Sequence, residues 1–280
     1  MRVGVFKDPD TGAPVALSKL GLGCSKVGSF NNPAPMPQIR RVLAHALELG
    51  VTVFDTADIY GQGDSEREIG RAIRGQREKA FVVTKFGKLF SAKMRLLAPF
   101  KPVLKPVLQA MSAGGQVAAQ RDGNMAEDFT PARFASALDA SLQRFGLDHV
   151  DGVLLHSPPA AAVRQPGVAE ALAALKAAGK TRYFGVSCDD DACLRAALEL
   201  PGLSLLQLPM DLIEQAQGNG VAKTIAERGV AVFAREVIRL QPSLKPNDAV
   251  AAAAARPDVT CVIAGTSSPQ HLDMLAAACG

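Results

Sequence analysis

Residues 52–85 read TVFDTADIYGQGDSEREIGRAIRGQREKAFVVTK, and the fold is decided in this stretch. Thr52 to Asp55 is a short run of β-branched and aromatic residues, the composition of a buried strand. Asp64 to Arg74 follows with helical periodicity and stops at Gly75, a residue suited to the left-handed end of a helix. Phe81 to Lys85 is a second strand-type run. Strand, helix, strand in this order is a βαβ unit, which makes the two strands parallel neighbours in one sheet.

The same rhythm extends in both directions. Strands are predicted at Leu20–Cys24, Thr52–Asp55, Phe81–Lys85, Val150–Leu155, Arg182–Val186, Leu205–Leu208, Val230–Ala234 and Cys261–Ala264. Helices are predicted after them at Pro37–Leu49, Asp64–Arg74, Pro131–Phe145, Val168–Ala178, Asp190–Leu200, Val221–Glu227, Asp248–Ala255 and Pro269–Ala278. Eight such units predict a single-domain α/β chain, residues 1–280, folded as a (β/α)8 TIM barrel. A doubly wound dinucleotide fold would need a longer glycine fingerprint than Gly21-Leu22-Gly23 after its first strand. The rhythm breaks once, at 86–130, after the third strand. This insertion carries Lys88, Lys93, Arg95, Lys101, Lys105 and Arg121 with no acidic residue between Lys88 and Arg121. It reads either as a lid over the catalytic face or as a solvated surface excursion.

Composition narrows the functional classes. Apolar residues make up 48% and charged residues 21% of the chain, which excludes a disordered or collagen-like polypeptide. A net charge of +4 is too balanced for a nucleic-acid binder, and no apolar run is long enough to span a membrane. Arg2, Lys7, Asp8 and Asp10 leave no room for a secretory core at the start. Five cysteines without a Cys-x-x-Cys and four scattered histidines predict neither a disulfide framework nor a metal, and point to a reducing, cytoplasmic setting.

Barrel enzymes carry their chemistry at the C-terminal ends of the strands. There the second strand supplies Asp55 and, in its loop, Tyr60; the third supplies Lys85; the fourth supplies His156. Singly, an acid and a lysine form a structural ion pair and a histidine packs in a core. Together on one rim they suit proton delivery to a carbonyl. Lys85, kept charged by Asp55, lowers the cost of forming a phenolate at Tyr60, and His156 orients the carbonyl oxygen.

These residues also carry a resemblance. Phe54-Asp55-Thr56-Ala57 with Tyr60-Gly61, then Thr84-Lys85, then Leu154-Leu155-His156 resembles the aldo-keto reductase family in order and spacing. Gly179-Lys180-Thr181-Arg182, Gly185-Val186-Ser187, Leu206-Gln207 and Val262 to Pro269 extend the likeness from about Leu17 to the C-terminal end. The resemblance implies reversible reduction of an aldehyde or ketone by a nicotinamide cofactor, NADPH before NADH. It implies Tyr60 as general acid with Asp55, Lys85 and His156 completing a tetrad. Ser187 and Gln207 would hold the nicotinamide carboxamide, with Gly23 and Asp55 also on the cofactor. The chain departs from the family at several places. Cys188 stands where asparagine is common, and Arg235 where an aromatic stacks, although a guanidinium also stacks on planar rings. Gly265 and His271 stand where lysine and arginine often meet the 2′-phosphate, leaving Thr266 and Ser267 to bind through hydroxyls and helix N-terminal amides. Met274 and Leu275 replace the acid-asparagine pair that often touches adenine. The expected partner is a small carbonyl or alcohol. A nicotinamide-binding regulatory protein with little turnover is the alternative reading.

Overall fold

The computed structural model describes residues 1–29, 32–90 and 125–280. Eight parallel strands close into a barrel: β3 (Leu20–Gly23), β4 (Val53–Asp55), β5 (Phe81–Phe86), β8 (Val150–His156), β9 (Thr181–Ser187), β10 (Leu205–Pro209), β11 (Ala231–Arg235) and β12 (Cys261–Ala264). They neighbour one another in chain order, and β12 pairs with β3 to shut the ring. These are the eight strands expected from the sequence, with no end moved by more than one residue. Helices at Met36–Glu48, Asp64–Ala72, Phe134–Phe145, Val168–Ala177, Asp191–Glu199, Val221–Glu227, Pro246–Ala255 and Pro269–Ala278 also answer to expected ones. Met210–Gly218 and the single turn Ala160–Val163 were not foreseen.

Strand alternation sorts the core into two layers. Val53, Phe81, Val83, Leu154, Tyr183, Leu205, Ala231, Phe233, Cys261 and Ile263 pack inside the barrel. Phe54, Val82, Leu155, Phe184, Val186, Leu206 and Val232 pack outward against the helices. Continuing the inward set by two residues brings Gly23, Asp55, Lys85, His156, Ser187, Gln207 and Arg235 to the interior at the C-terminal rim. The period of two therefore delivers one polar layer on top of an apolar barrel.

A hairpin absent from the sequence reading closes the other end. β1 (Val3–Lys7) pairs antiparallel with β2 (Pro14–Ser18). Phe6 plugs the barrel floor, with its ring centroid 5.2 Å from Tyr183 and 6.4 Å from Phe81, both edge-on. The main chain at Gly4 lies so close to Thr260 that a Cβ there would stand 1.9 Å from the carbonyl oxygen. The Tyr183 hydroxyl donates to the Asp8 carboxylate at 2.6 Å. The second tyrosine of the chain is thus structural and lies at the end opposite Tyr60.

In the insertion, β6 (Lys88–Phe90) pairs with β7 (Met125–Glu127), so its two ends leave the barrel together. The expectation of a lid falls on residues 91–124, outside the described residues, together with Lys93, Arg95, Lys101, Lys105 and Arg121.

Candidate active site

The loop after β4 is held to β5 beyond the end of the strand itself. Thr56 N donates to Val83 O at 2.8 Å and Asp58 N to Lys85 O at 3.0 Å. The chain then turns through a 3-10 segment, Tyr60–Gly63, in which Gly61 and Gln62 have φ near +59° and +60°. Gly61 is required on two counts, since a Cβ would also stand 2.5 Å from the Val27 carbonyl oxygen. Among the described residues, Gln62, Ser157 and Glu236 are the non-glycine residues with positive φ, and they follow β4, β8 and β11 at the same rim. Each left-handed non-glycine residue costs roughly 1–2 kcal/mol, so strain gathers at one end of the barrel.

Four sequence-predicted side chains meet there. Lys85 Nζ donates to Asp55 Oδ1 at 2.6 Å and to the Thr56 carbonyl at 2.8 Å, with Lys85 only 1% exposed and Asp55 5%. The ammonium lies 5.4 Å from the centroid of the Tyr60 ring. The Tyr60 and His156 rings face each other edge-on, 5.7 Å apart at 86°. His156 Nδ1 is buried with no hydrogen-bond partner among the described residues.

The electrostatics separate the two acid candidates. Burial, together with the charges of Lys85, Lys88 and Arg235, holds His156 well below its ordinary value, so its imidazole is neutral at neutral pH. A neutral ring donates or accepts a hydrogen bond but is no proton reservoir. Burial pushes the Tyr60 phenol above its usual value, while Lys85 and Arg235 pull it down and Asp55 raises it. The expected effect of Lys85 is thus present in direction, but burial outweighs it.

The expected cofactor residues divide into two groups. Ser187 and Gln207 join the tetrad: Ser187 Oγ donates to Gln207 Oε1 at 3.1 Å and Gln207 Nε2 to Asp55 Oδ1 at 2.8 Å. Arg235 reaches over the rim, donating to the Cys188 carbonyl at 3.0 Å and to the carboxylates of Asp189 and Glu236. The Cys188 thiol has the outward parity and is buried against Cys193, so only its main chain takes part in the rim. Gly23 and Gly265 lie back to back across the β3–β12 seam, where a Cβ on Gly265 would stand 2.8 Å from the Gly23 carbonyl oxygen. Ser267 is tied to the first helix and the loop before it, its carbonyl accepting from Gln38 at 2.7 Å and its hydroxyl donating to Asn32 at 3.2 Å. Thr266 Oγ1 accepts from Ser268 N at 3.1 Å, and Ser268 caps the last helix by accepting from His271 N at 3.3 Å. The His271 side chain is exposed on that helix.

One cluster escaped the sequence reading. Glu66, wholly buried, accepts from Thr84 Oγ1 at 2.7 Å and pairs with Arg144. Asp58, between Asp55 and Tyr60, has Oδ1 buried without a partner among the described residues. Burial and the charge of Glu66 push its carboxyl up to about 7, against the pull of Arg144 and Lys85. The only sequence signal was the acid itself in the loop; the charges that act on it, those of Glu66, Arg144 and Lys85, are brought to it by the fold.

The profile of the Aldo/keto reductase family matches residues 19–247. The chain is similar to the aldo-keto reductase yakc [NADP(+)] of Schizosaccharomyces pombe, at 28% identity over 76% of this chain and 56% of that protein. It is also similar to the methylglyoxal reductase YeaE of Escherichia coli, at 31% identity over 57% of this chain and 42% of that protein. The chain therefore spans about half the length of these curated relatives. Among solved structures, PA4992 from Pseudomonas aeruginosa, assigned to the aldo-keto reductases, superposes with a TM-score of 0.73 at 26% identity. That likeness covers 99% of this chain and 95% of that one. With a closed eight-stranded barrel, the Asp55, Tyr60, Lys85 and His156 cluster on its rim, and a family match over most of its length, the chain belongs to the aldo/keto reductase family.

Proposed function

We propose that this chain is an NADP(H)-dependent oxidoreductase that reversibly reduces a small aldehyde or ketone, with Tyr60 giving the proton. The observation that carries this reading is the buried Lys85–Asp55 pair beneath the Tyr60 phenol, facing a histidine that burial keeps neutral. Of the two groups able to touch a carbonyl oxygen there, only the phenol holds a proton to give. Lys85 stabilises the phenolate left behind, and Asp55 keeps Lys85 charged and aimed. The neutral ring of His156, edge-on to Tyr60, offers the carbonyl oxygen a hydrogen bond and so fixes its direction.

The residues present fit a nicotinamide cofactor. Ser187 and Gln207 present buried hydroxyl and amide groups at the rim, and Arg235 offers a planar cation. Thr266 and Ser267, at the start of the last helix, suit the phosphate end. When bound, the cofactor supplies the hydride that the carbonyl carbon accepts. NADP(H) is preferred because the yeast relative is named for NADP(+). Small 2-oxoaldehydes are the first substrates to test, since the bacterial relative is named a methylglyoxal reductase. The five cysteines, all free and buried, accord with a reducing cytoplasm.

Tyr60→Phe tests the assignment: turnover should fall by at least about a hundredfold, the usual worth of a positioned acid, with NADPH binding and folding retained. Retained turnover in that variant would remove Tyr60 from its role. Tight NADPH binding by the unaltered protein without reduction of any carbonyl in a broad panel would instead support a nicotinamide-binding regulatory protein.

A further inference from the structure

In the closed ring β10 stands diametrically opposite β4, four strands away in either direction. Gln207 on β10 nevertheless reaches Asp55 on β4, crossing the barrel interior to donate to Oδ1 at 2.8 Å. The same oxygen accepts the Lys85 ammonium at 2.6 Å. On its other side the Gln207 carbonyl takes the Ser187 hydroxyl at 3.1 Å. All four residues are 5% exposed or less. A buried polar chain therefore runs from Ser187 through Gln207 to the ion pair under Tyr60.

We propose that Gln207 is a positioning residue for the proton donor: its side-chain amide shares Asp55 Oδ1 with Lys85 and so links occupancy of the cofactor site to Tyr60. The link rests on the reading of that site given above. A carboxylate oxygen that accepts two donors binds each less strongly than it would bind one. The amide thereby slackens the hold of Asp55 on Lys85 and leaves more of the ammonium's field for the phenol. The charged and titratable groups that face Tyr60 are Lys85, Asp55, Arg235 and Cys24, with the neutral ring of His156 beside them. Among these, Lys85 lowers and Asp55 raises the proton affinity of the phenol. A carboxamide that donates to Gln207 Oε1 polarises the amide and strengthens its N–H donation to Asp55, because hydrogen bonds in a chain reinforce one another. An occupied site thus makes Tyr60 the readier donor.

The chain contains no tryptophan and only two tyrosines, so with Tyr183→Phe in place the near-ultraviolet phenolate absorbance reports Tyr60 alone. The titration is followed over the pH range in which far-ultraviolet circular dichroism stays native. Gln207→Met keeps the length of the side chain and removes the donor. It should raise the Tyr60 midpoint by on the order of half a pH unit, and Gln207→Glu, which puts a second carboxylate beside Asp55, should raise it further. Saturating NADP+ should lower the midpoint with Gln207 present and leave it unmoved in Gln207→Met. Gln207→Asn keeps an amide but is too short to cross the barrel; it should act as Gln207→Met does, and it serves where the methionine variant does not fold. Unchanged midpoints in the cofactor-free Met, Asn and Glu variants would overturn the role of Gln207. NADP+ that fails to bind the protein with Gln207 intact would overturn the cofactor reading and the link to occupancy, while the cofactor-free shifts would still decide whether Gln207 positions the tetrad.

Discussion

Each of the rim residues does its work through one or two neighbours, and the energetics are decided by burial. The Lys85–Asp55 pair is almost wholly enclosed. Removing one partner from such a pair leaves an uncompensated buried charge, which costs roughly 3–5 kcal/mol. Lys85→Met should therefore lose about that much stability in chemical denaturation as well as its turnover. The double variant Asp55→Asn with Lys85→Met should regain most of the stability and none of the activity. Asp58 obeys the opposite logic, being a carboxyl that burial keeps protonated. Its folded value of about 7 lies above the 3.8 of an exposed aspartate, so its contribution is fully present below about 3.8. Between 3.8 and about 7 the unfolded chain has released the proton and the folded chain has not, and stability falls as the pH rises through that window. Asp58→Asn should flatten this slope in melting temperatures recorded from pH 4 to 8. An unchanged slope would count against a buried proton at Asp58.

At the scale of elements, the barrel is held shut by contacts between the first and last units. His45, on the helix Met36–Glu48, joins Asp273 on the helix Pro269–Ala278 at 2.6 Å and Glu48 on its own helix at 3.1 Å. The bonds to Asp273 and Glu48 raise the affinity of the imidazole for its proton. A raised histidine stabilises the fold fully below its ordinary value near 6.5, and the effect is lost as the pH rises through the folded value. The partners are partly exposed, so the pair contributes less than about 1 kcal/mol. Asp273→Asn should lower the melting temperature at pH 5.5 by a degree or two and leave it unchanged at pH 9, by the scale on which about 1 kcal/mol moves a chain of this size.

For the whole molecule, the two ends of the barrel separate stability from chemistry. Phe6 fills the floor against Phe81 and Tyr183, far from the rim that carries Tyr60. Truncating a buried phenylalanine costs about 3–5 kcal/mol. Phe6→Ala should accordingly shift the denaturation midpoint strongly while turnover per folded molecule stays close to that of the parent. A comparable loss of turnover would mean that the floor and the rim are mechanically coupled.

How much of this was legible in the residues follows from the range of the forces involved. The alternation of strand and helix is local, and so is the parity that turns Asp55, Lys85, His156, Ser187 and Gln207 inward; the barrel and the meeting of these side chains on one rim could therefore be read along the chain. The N-terminal hairpin could not, because Val3–Lys7 is a strand only by virtue of the barrel floor that its Phe6 covers. The same parity turns the Cys188 thiol outward, into the helix layer rather than the rim. Gln207 reaches across the barrel to share the Oδ1 of Asp55, 152 positions away in the chain, with Lys85, and burial and the charge of Glu66 hold the proton on Asp58 against the pull of Arg144. Sequence by itself determined the eightfold rhythm and the inventory of groups on the rim, since hydrophobic periodicity is written residue by residue. Only the tertiary structure decided which of those groups is charged and which is bonded to which, since desolvation and Coulomb energies depend on distances in space that the order of residues does not contain.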